Sequence, residues 1–316
     1  NDSGVLDSGL SAVAYAILGT VQSSQPLVNI YAQTEVRGRL TLVSGEPVMT
    51  SEVSGATSVL FTPYRGNVID LYDGSANWNR FKFSELSVPV PASSAVYDVF
   101  AYQATTGAIA LSTIAWANET TRATNLTTQG GVYVQSGAQT RLYLGSFFGS
   151  TAAGTTSVNY LNAKKFLWNH WNQVRTPLLR FGTVTSTYSW AISTGATTRA
   201  AANNPENSIS FVNGLVGSVR ANLITAGYAQ PTGTSICTVG FGLDNSTSFS
   251  LNCTRGMLAS ASTEATPVSA NFSGYVQPGK HDLVWLEQNF VSTTMIFYGG
   301  NLANLHVQGI TGEYDS

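Results

Sequence analysis

Charge is what this sequence has least of. Only 10% of its 316 residues are Asp, Glu, Lys or Arg, where globular chains carry about 25%. Fifteen Lys and Arg stand against 17 Asp and Glu, a formal net charge of −2. Lys164-Lys165 is the one adjacent basic pair. A duplex-binding protein needs several phosphate-neutralising cations on one face, so no nucleic-acid partner is expected. Long apolar runs are also missing. None reaches the roughly 18 residues of a transmembrane helix, and the run at 10–18, LSAVAYAIL, lacks the positive flank of a signal peptide. No membrane insertion is expected. The chain begins at Asn1 and not at Met, so an upstream segment is expected to have been removed.

Histidine and cysteine are scarce as well. There are three His and two Cys, and His281 and His306 have no ligand-like spacing to Cys237 or Cys253, so neither a metal nor another cofactor is expected. The two cysteines either close a disulfide across neighbouring strands, implying an oxidising compartment, or remain buried thiols; the sequence leaves both open. No G-x-S-x-G elbow, Walker loop, HExxH or EF-hand loop occurs. His281-Asp282 resembles part of a catalytic dyad, but neighbours on a strand point to opposite faces. Carboxylate pairs for glycoside hydrolysis can be drawn from Asp70, Asp73, Glu85 and Asp98, yet their separations decide that chemistry. We therefore expect no enzyme. Sequons such as those at Asn118, Asn125, Asn245 and Asn271 occur, and a chain rich in Asn, Ser and Thr produces several by chance.

What the sequence does have is aromatic and hydroxyl side chains. Fourteen Tyr, 14 Phe and 6 Trp within a 43% hydrophobic composition demand a packed core. Solubility then falls to Ser, Thr, Asn, Gln and Gly. From Val36 onward, short apolar runs recur every 10–15 residues or so, broken by turn signals such as Asp73-Gly74, Thr106-Gly107 and the QPGK of 277–280. This predicts an all-β fold of two β-sandwich or jelly-roll-like domains. Residues 1–35 form an N-terminal connector or attachment segment, with a helical period at Leu6, Leu10, Val13, Ala14, Ile17 and Leu18 ended by Gly19. Residues 36–159 are the first β domain and 182–316 the C-terminal β-sandwich.

Between them, 160–181 (YLNAKKFLWNHWNQVRTPLLRF) concentrates two Trp, one His and four Lys/Arg. Leu167, Trp171 and Val174 fall at i, i+4 and i+7, Asn162 suits an N-cap, and Pro177 marks an end. As a strand neither face is clean, so the spacing predicts a short helical hinge. Leu167, Trp171 and Val174 would pin it to a β domain. Trp168 and His170 would set the angle of the second domain or meet a neighbouring subunit. For ligand contact, aromatic faces against sugar rings are the candidates: Tyr188 and Trp190 on one strand face, and Tyr228 and Tyr275 near loops.

Three stretches carry a resemblance. They are residues 48–73 continuing to Trp78 and Phe83-Ser84-Glu85-Leu86; residues 97–102 with Ala115-Trp116 and Thr121-Arg122; and residues 167–174. With Glu206-Asn207, Gly240-Phe241-Gly242-Leu243-Asp244 and the tail at 309–312, they resemble a recurring class of structural proteins of tailed bacteriophages. The resemblance implies a virion component, a fibre, spike or decoration protein on the extracellular surface of tail or capsid. Its partners would be copies of itself, as a homotrimer, other virion proteins, and host-surface polysaccharide. It carries over no catalytic residue. A polysaccharide-degrading tail enzyme and a cellular carbohydrate-binding adhesin are the alternatives.

Overall fold

The computed structural model describes residues 34–150, 154–159, 164–181, 189–192, 197–229, 235–260, 266–290, 294–298 and 308–316. The N-terminal helix expected at 6–18 lies outside them. The chain divides into two units, Asn1–Glu35 and Val36–Ser316. The second unit is built from antiparallel strands, with one 3-10 turn at Ala201–Asn203 and one parallel pairing, Lys164–Lys165 beside Ser208–Asn213, among the described residues. No helix among the described residues is long and apolar enough to cross a membrane.

A seven-stranded sheet forms the middle of this unit. Its core strands are Ala95–Gln103 and Ala138–Gly149, flanked by Ile109–Asn118 and Val132–Gln135. Both core strands read as near-continuous apolar runs, AVYDVFAY and RLYLGSFF. The reason is burial on both faces, which removes the usual polar alternation. Tyr97, Val99, Ala101, Leu142, Leu144 and Phe147 face one hydrophobic cluster. Val96, Phe100, Tyr143 and Phe148 face another. A bulge at Leu144-Gly145 keeps the phase: Tyr143 pairs with Phe100, but Gly145 pairs with Val99, so one extra residue is inserted. Gly145 has φ +157°, and a Cβ there would lie 2.9 Å from Leu40 Cδ1 and 3.2 Å from Asn169 Cα. No other residue fits the crossing.

On the first face lie the three-stranded sheet Gly38–Thr41, Ser58–Pro63 and Leu86–Pro89 and the hairpin Val68–Tyr72/Trp78–Lys82. The hairpin turns on Asp73, whose Oδ1 accepts the Ser75, Ala76 and Asn77 amides at 2.7, 3.0 and 3.1 Å. On the second face, two larger sheets supply the core. One has eight strands, including Ser208–Asn213, Gly279–Asn289 and Ser235–Leu243. The other has seven, including Arg175–Phe181, Gly309–Asp315, Gly217–Ala229 and Thr266–Val276. Trp285, Phe211, Phe241, Phe272 and Phe297, all fully buried, fill the space between them. The eight-stranded sheet takes Val53–Ala56 and Thr156–Asn159 from before residues 160–181 and the rest from within or after that stretch.

The helix expected at 160–181 is replaced by strands. Among its described residues, Lys164–Lys165, Leu167–Asn169 and Arg175–Phe181 join three different sheets. The helical spacing of Leu167, Trp171 and Val174 was coincidental. Leu167–Asn169 is hydrogen-bonded to Ala138–Gly149 and has apolar groups on both sides, the same double burial that hides a strand's period of two. Leu167 packs in the first cluster and Trp168 in the second. Cys237 and Cys253 are both free thiols.

Candidate functional site

The four carboxylates considered for hydrolysis all have structural partners. Asp70 accepts from Arg80 Nε and Nη2 at 2.8 and 3.0 Å. Asp73 holds its turn, whose amides lower its pKa to about 2. Glu85 accepts from Ser44, Thr62 and the Gly45 amide at 2.5, 2.6 and 2.8 Å, bonds that hold its pKa below the ordinary value. Asp98 is buried and accepts from Arg122 Nε at 2.6 Å and from Ser146 Oγ at 2.7 Å. Burial pushes the Asp98 pKa up, against the pull of Arg122. Arg122 also donates to the Gly214 carbonyl at 2.6 Å and lies 4.3 Å from the Trp116 ring centre. It thus ties the middle sheet to the loop after Ser208–Asn213.

Of the predicted packing residues, Trp168, His170 and Trp171 lie together beside Tyr143. The His170 ring sits among Tyr133, Tyr143, Trp168 and Trp171, with centroids 5.1–6.2 Å away. Burial there lowers its pKa to about 4. Trp171 Nε1 donates to the Tyr143 carbonyl at 2.8 Å, and the Val174 backbone exchanges two hydrogen bonds with Ser316. Two of the four aromatic ligand candidates, Trp190 and Tyr275, have described side chains. Trp190 is half-buried, donates to Glu287 at 2.6 Å and stacks on Phe297 at 5.8 Å. Tyr275 is 76% exposed on the outer face of the seven-stranded sheet that contains Thr266–Val276. Tyr188 lies outside the described residues, and Tyr228 is placed only as a strand residue opposite Ile296.

The structure instead collects charge in one cleft of about 690 Å³. Six parts of the fold converge on it. The turn after Ile109–Asn118 brings Glu119 and Thr120, and the Lys164–Lys165 strand sends Lys164 outward while Lys165 is buried. Arg175–Phe181 supplies Arg180. The loop into Ser208–Asn213 supplies Glu206, with Ser208 and Ser210 behind it. Asp244, Asn245 and Ser246 follow Ser235–Leu243, beside Lys280 and Asp282 of Gly279–Asn289. Asn118 and Asn245 both bend their chains at the rim, each accepting the amide two residues on, at 2.9 and 2.8 Å. The sequons at Asn118 and Asn245 are therefore turns of this cleft.

Strand alternation separates His281 from Asp282, as expected. His281 turns inward, 5% exposed, with Nδ1 2.7 Å from Asp244 Oδ2 and Nε2 2.8 Å from the Gln277 carbonyl. Asp282 turns into the cleft and accepts from Ser210 Oγ. Asp244, at φ +54°, closes the arrangement by accepting the Asp282 amide at 2.7 Å. Lys280 Nζ lies 3.3 Å from both Glu119 and Asp282. Burial opposes the Lys280 charge, but the two carboxylates outweigh it and raise its pKa. With both His281 nitrogens occupied and Ser210 bonded to a carboxylate, the cleft holds no serine–histidine pair. No group of three or more His, Cys, Asp or Glu among the described residues could hold a metal ion.

Comparison with known proteins adds little. No protein-family model matches the chain, and no curated protein matches it. Solved structures similar to it include the infectious bursal disease virus VP2 subviral particle, at 11% identity over 95% of this chain and 83% of that one, with a TM-score of 0.17. Another is infectious bursal disease virus Gx strain, at 12% identity over 90% and 74%, with a TM-score of 0.16. These likenesses are to a virus other than the tailed phages, and at such scores they carry no argument.

Sequence reasoning missed the cleft because its members are scattered from 119 to 282. The signal available was the scarcity itself: in so uncharged a chain, any charge without a local turn or strand partner is a candidate.

Proposed function

We propose that the protein is a non-enzymatic structural component of a tailed-phage virion, a fibre, spike or decoration protein displayed on the particle surface as a homotrimer and in contact with host glycan. The tailed-phage assignment rests on the resemblance carried by residues 48–86, 97–122 and 167–174. The observation that carries the structural role is the outer face of the sheet containing Gly217–Ala229 and Thr266–Val276. Across it Ser218 pairs with Tyr275, Arg220 with Ser273, Asn222 with Asn271 and Ile224 with Ser269, and all eight are exposed. Hydroxyls and amides with single apolar groups make a nearly uncharged face, suited to repeated contact between copies or with hydroxyl-rich surfaces. Its edge strand Arg175–Phe181, with Pro177, pairs on one side only among the described residues, an edge that assembly would cover.

Cryo-EM of the particle that contains the chain tests the reading, since location, copy number and neighbours emerge together. Absence from purified particles overturns it. The carboxylates of the cleft favour a second reading, a polysaccharide-degrading enzyme. New reducing ends on incubation with host capsule, lost on Asp282→Asn, would establish that reading instead.

A further inference from the structure

We infer that the charged cleft is a binding site for an acidic saccharide, one whose sugar rings carry a carboxylate. The inference rests on the surface-glycan reading above and gives that ligand a chemistry and a place.

The charges of the cleft are not evenly spent. Lys280 is held by Glu119 and Asp282, and Asp244 by His281. Lys164 and Arg180 make no ion pair among the described residues. Arg180 is the sharper case. Its Nε is buried without a hydrogen-bond partner, and burial pulls its pKa below the ordinary value, opposed by Glu206. The Arg180 side chain lines the cleft, so a ligand carboxylate there would bring Arg180 and Lys164 a counter-charge.

The rest of the lining excludes other anions. Four carboxylates surround the two cations, so a phosphate or polyphosphate with two or more charges meets repulsion. A saccharide brings one carboxylate per acidic ring and several hydroxyls. Those hydroxyls donate to Glu206 and Asp282 and bond with Ser208 and Ser246. A volume of about 690 Å³ lies within the usual range for small-ligand sites and leaves room for a short oligosaccharide. Most of the residues stand on strands or on turns fixed by Asx bonds, so the site is held before the ligand arrives.

The test is calorimetric titration of the full chain with an aldotetraouronic acid, a tetrasaccharide with a single uronate ring, with maltotetraose and inorganic phosphate as comparisons. Tight binding of the uronate alone is expected, weakened at least tenfold in Lys164→Gln and in Arg180→Gln. Lys164 is exposed, so its variant keeps the wild-type melting temperature and serves if Arg180→Gln fails to fold. Uronate binding unchanged in Lys164→Gln, phosphate bound as tightly, or no uronate binding would each overturn the inference. Maltotetraose bound equally well by wild type and Lys164→Gln ends this inference but leaves the surface-glycan reading standing. The particle location is read separately.

Discussion

Replacing Arg122 by Met tests the joint between the middle sheet and the rest of the β-rich unit. The substitution keeps much of the side-chain stem and removes the guanidinium. Asp98, 1% exposed, then loses its donors from Arg122 and keeps Ser146 Oγ. The Gly214 carbonyl loses its bond as well. Breaking one side of a buried ion pair costs about 3–5 kcal/mol, because the other charge is left without compensation. Asp98 has one escape, which is to take up a proton. Burial already raises its pKa with Arg122 present, and without Arg122 the rise is larger. A carboxyl whose folded pKa exceeds its unfolded one contributes stability that is present below the unfolded pKa and lost as pH rises. The deficit of Arg122→Met relative to wild type is therefore small near the unfolded carboxylate pKa of 3.8 and grows toward neutral pH. Urea unfolding in acid and at neutral pH measures it. Asp98→Asn/Arg122→Met should abolish the pH dependence, and Arg122→Lys should fall between, since an ammonium cannot span Asp98 and Gly214 together. A loss below about 1 kcal/mol at neutral pH, or one that does not change with pH, would refute the reasoning.

Gly145→Ala forces a Cβ against Leu40 and the backbone of residues 168–169 at a positive φ. A loss of about 3 kcal/mol or more is expected, read as a lower urea midpoint or loss of soluble protein. Glu287 is fully buried, and burial outweighs Trp190 and Arg199 to raise its pKa from 4.5 to about 7. Its contribution is thus full below pH 4.5 and lost as pH rises through about 7, so wild-type stability should fall across that window more steeply than that of Glu287→Gln. Equal slopes in urea titrations would dismiss this. Trp171→Ala removes a half-buried ring and its bond to Tyr143 and should cost about 3 kcal/mol; an unchanged melting temperature would show that the ring adds nothing to the packing.

The fold was legible wherever one rule governed a stretch. Asp73-Gly74 announced a hairpin because a carboxylate and a glycine together make that turn, and 277–280 announced a turn that carries the chain from Thr266–Val276 of one sheet to Gly279–Asn289 of another. The strands AVYDVFAY and RLYLGSFF stood out as apolar runs. Residues 160–181 were misread because strands buried on two sides have no period of two, and three apolar residues happened to fit a helix. Leu167 and Trp171 pack in one cluster and Trp168 in the other. The aromatic ligand candidates raise a different difficulty. Trp190 looks like any strand aromatic in sequence, and only the buried Glu287, 97 positions away, shows that its indole is committed to the core.

The scarcity of charge and the existence of the cleft have one physical cause. A sheet covered on both faces gives its strands little water to face, so charges inside survive only in pairs. Asp98 with Arg122 and Glu287 with Arg199 are such pairs. Asp70, Asp73 and Glu85 are held by a cross-strand arginine or by turn and loop donors. Outside, Gly217–Ala229 and Thr266–Val276 together carry Arg220 as their one charge, which suits the proposed contact between copies. Part of the remaining charge lies where segments from different sheets end together without a continuous sheet face. Glu119, Lys164, Arg180, Glu206 and Asp282 lie there, and Arg180 keeps a buried donor with no partner. A ligand carboxylate bound there as proposed would meet Lys164 and Arg180, the two cleft cations that make no ion pair among the described residues.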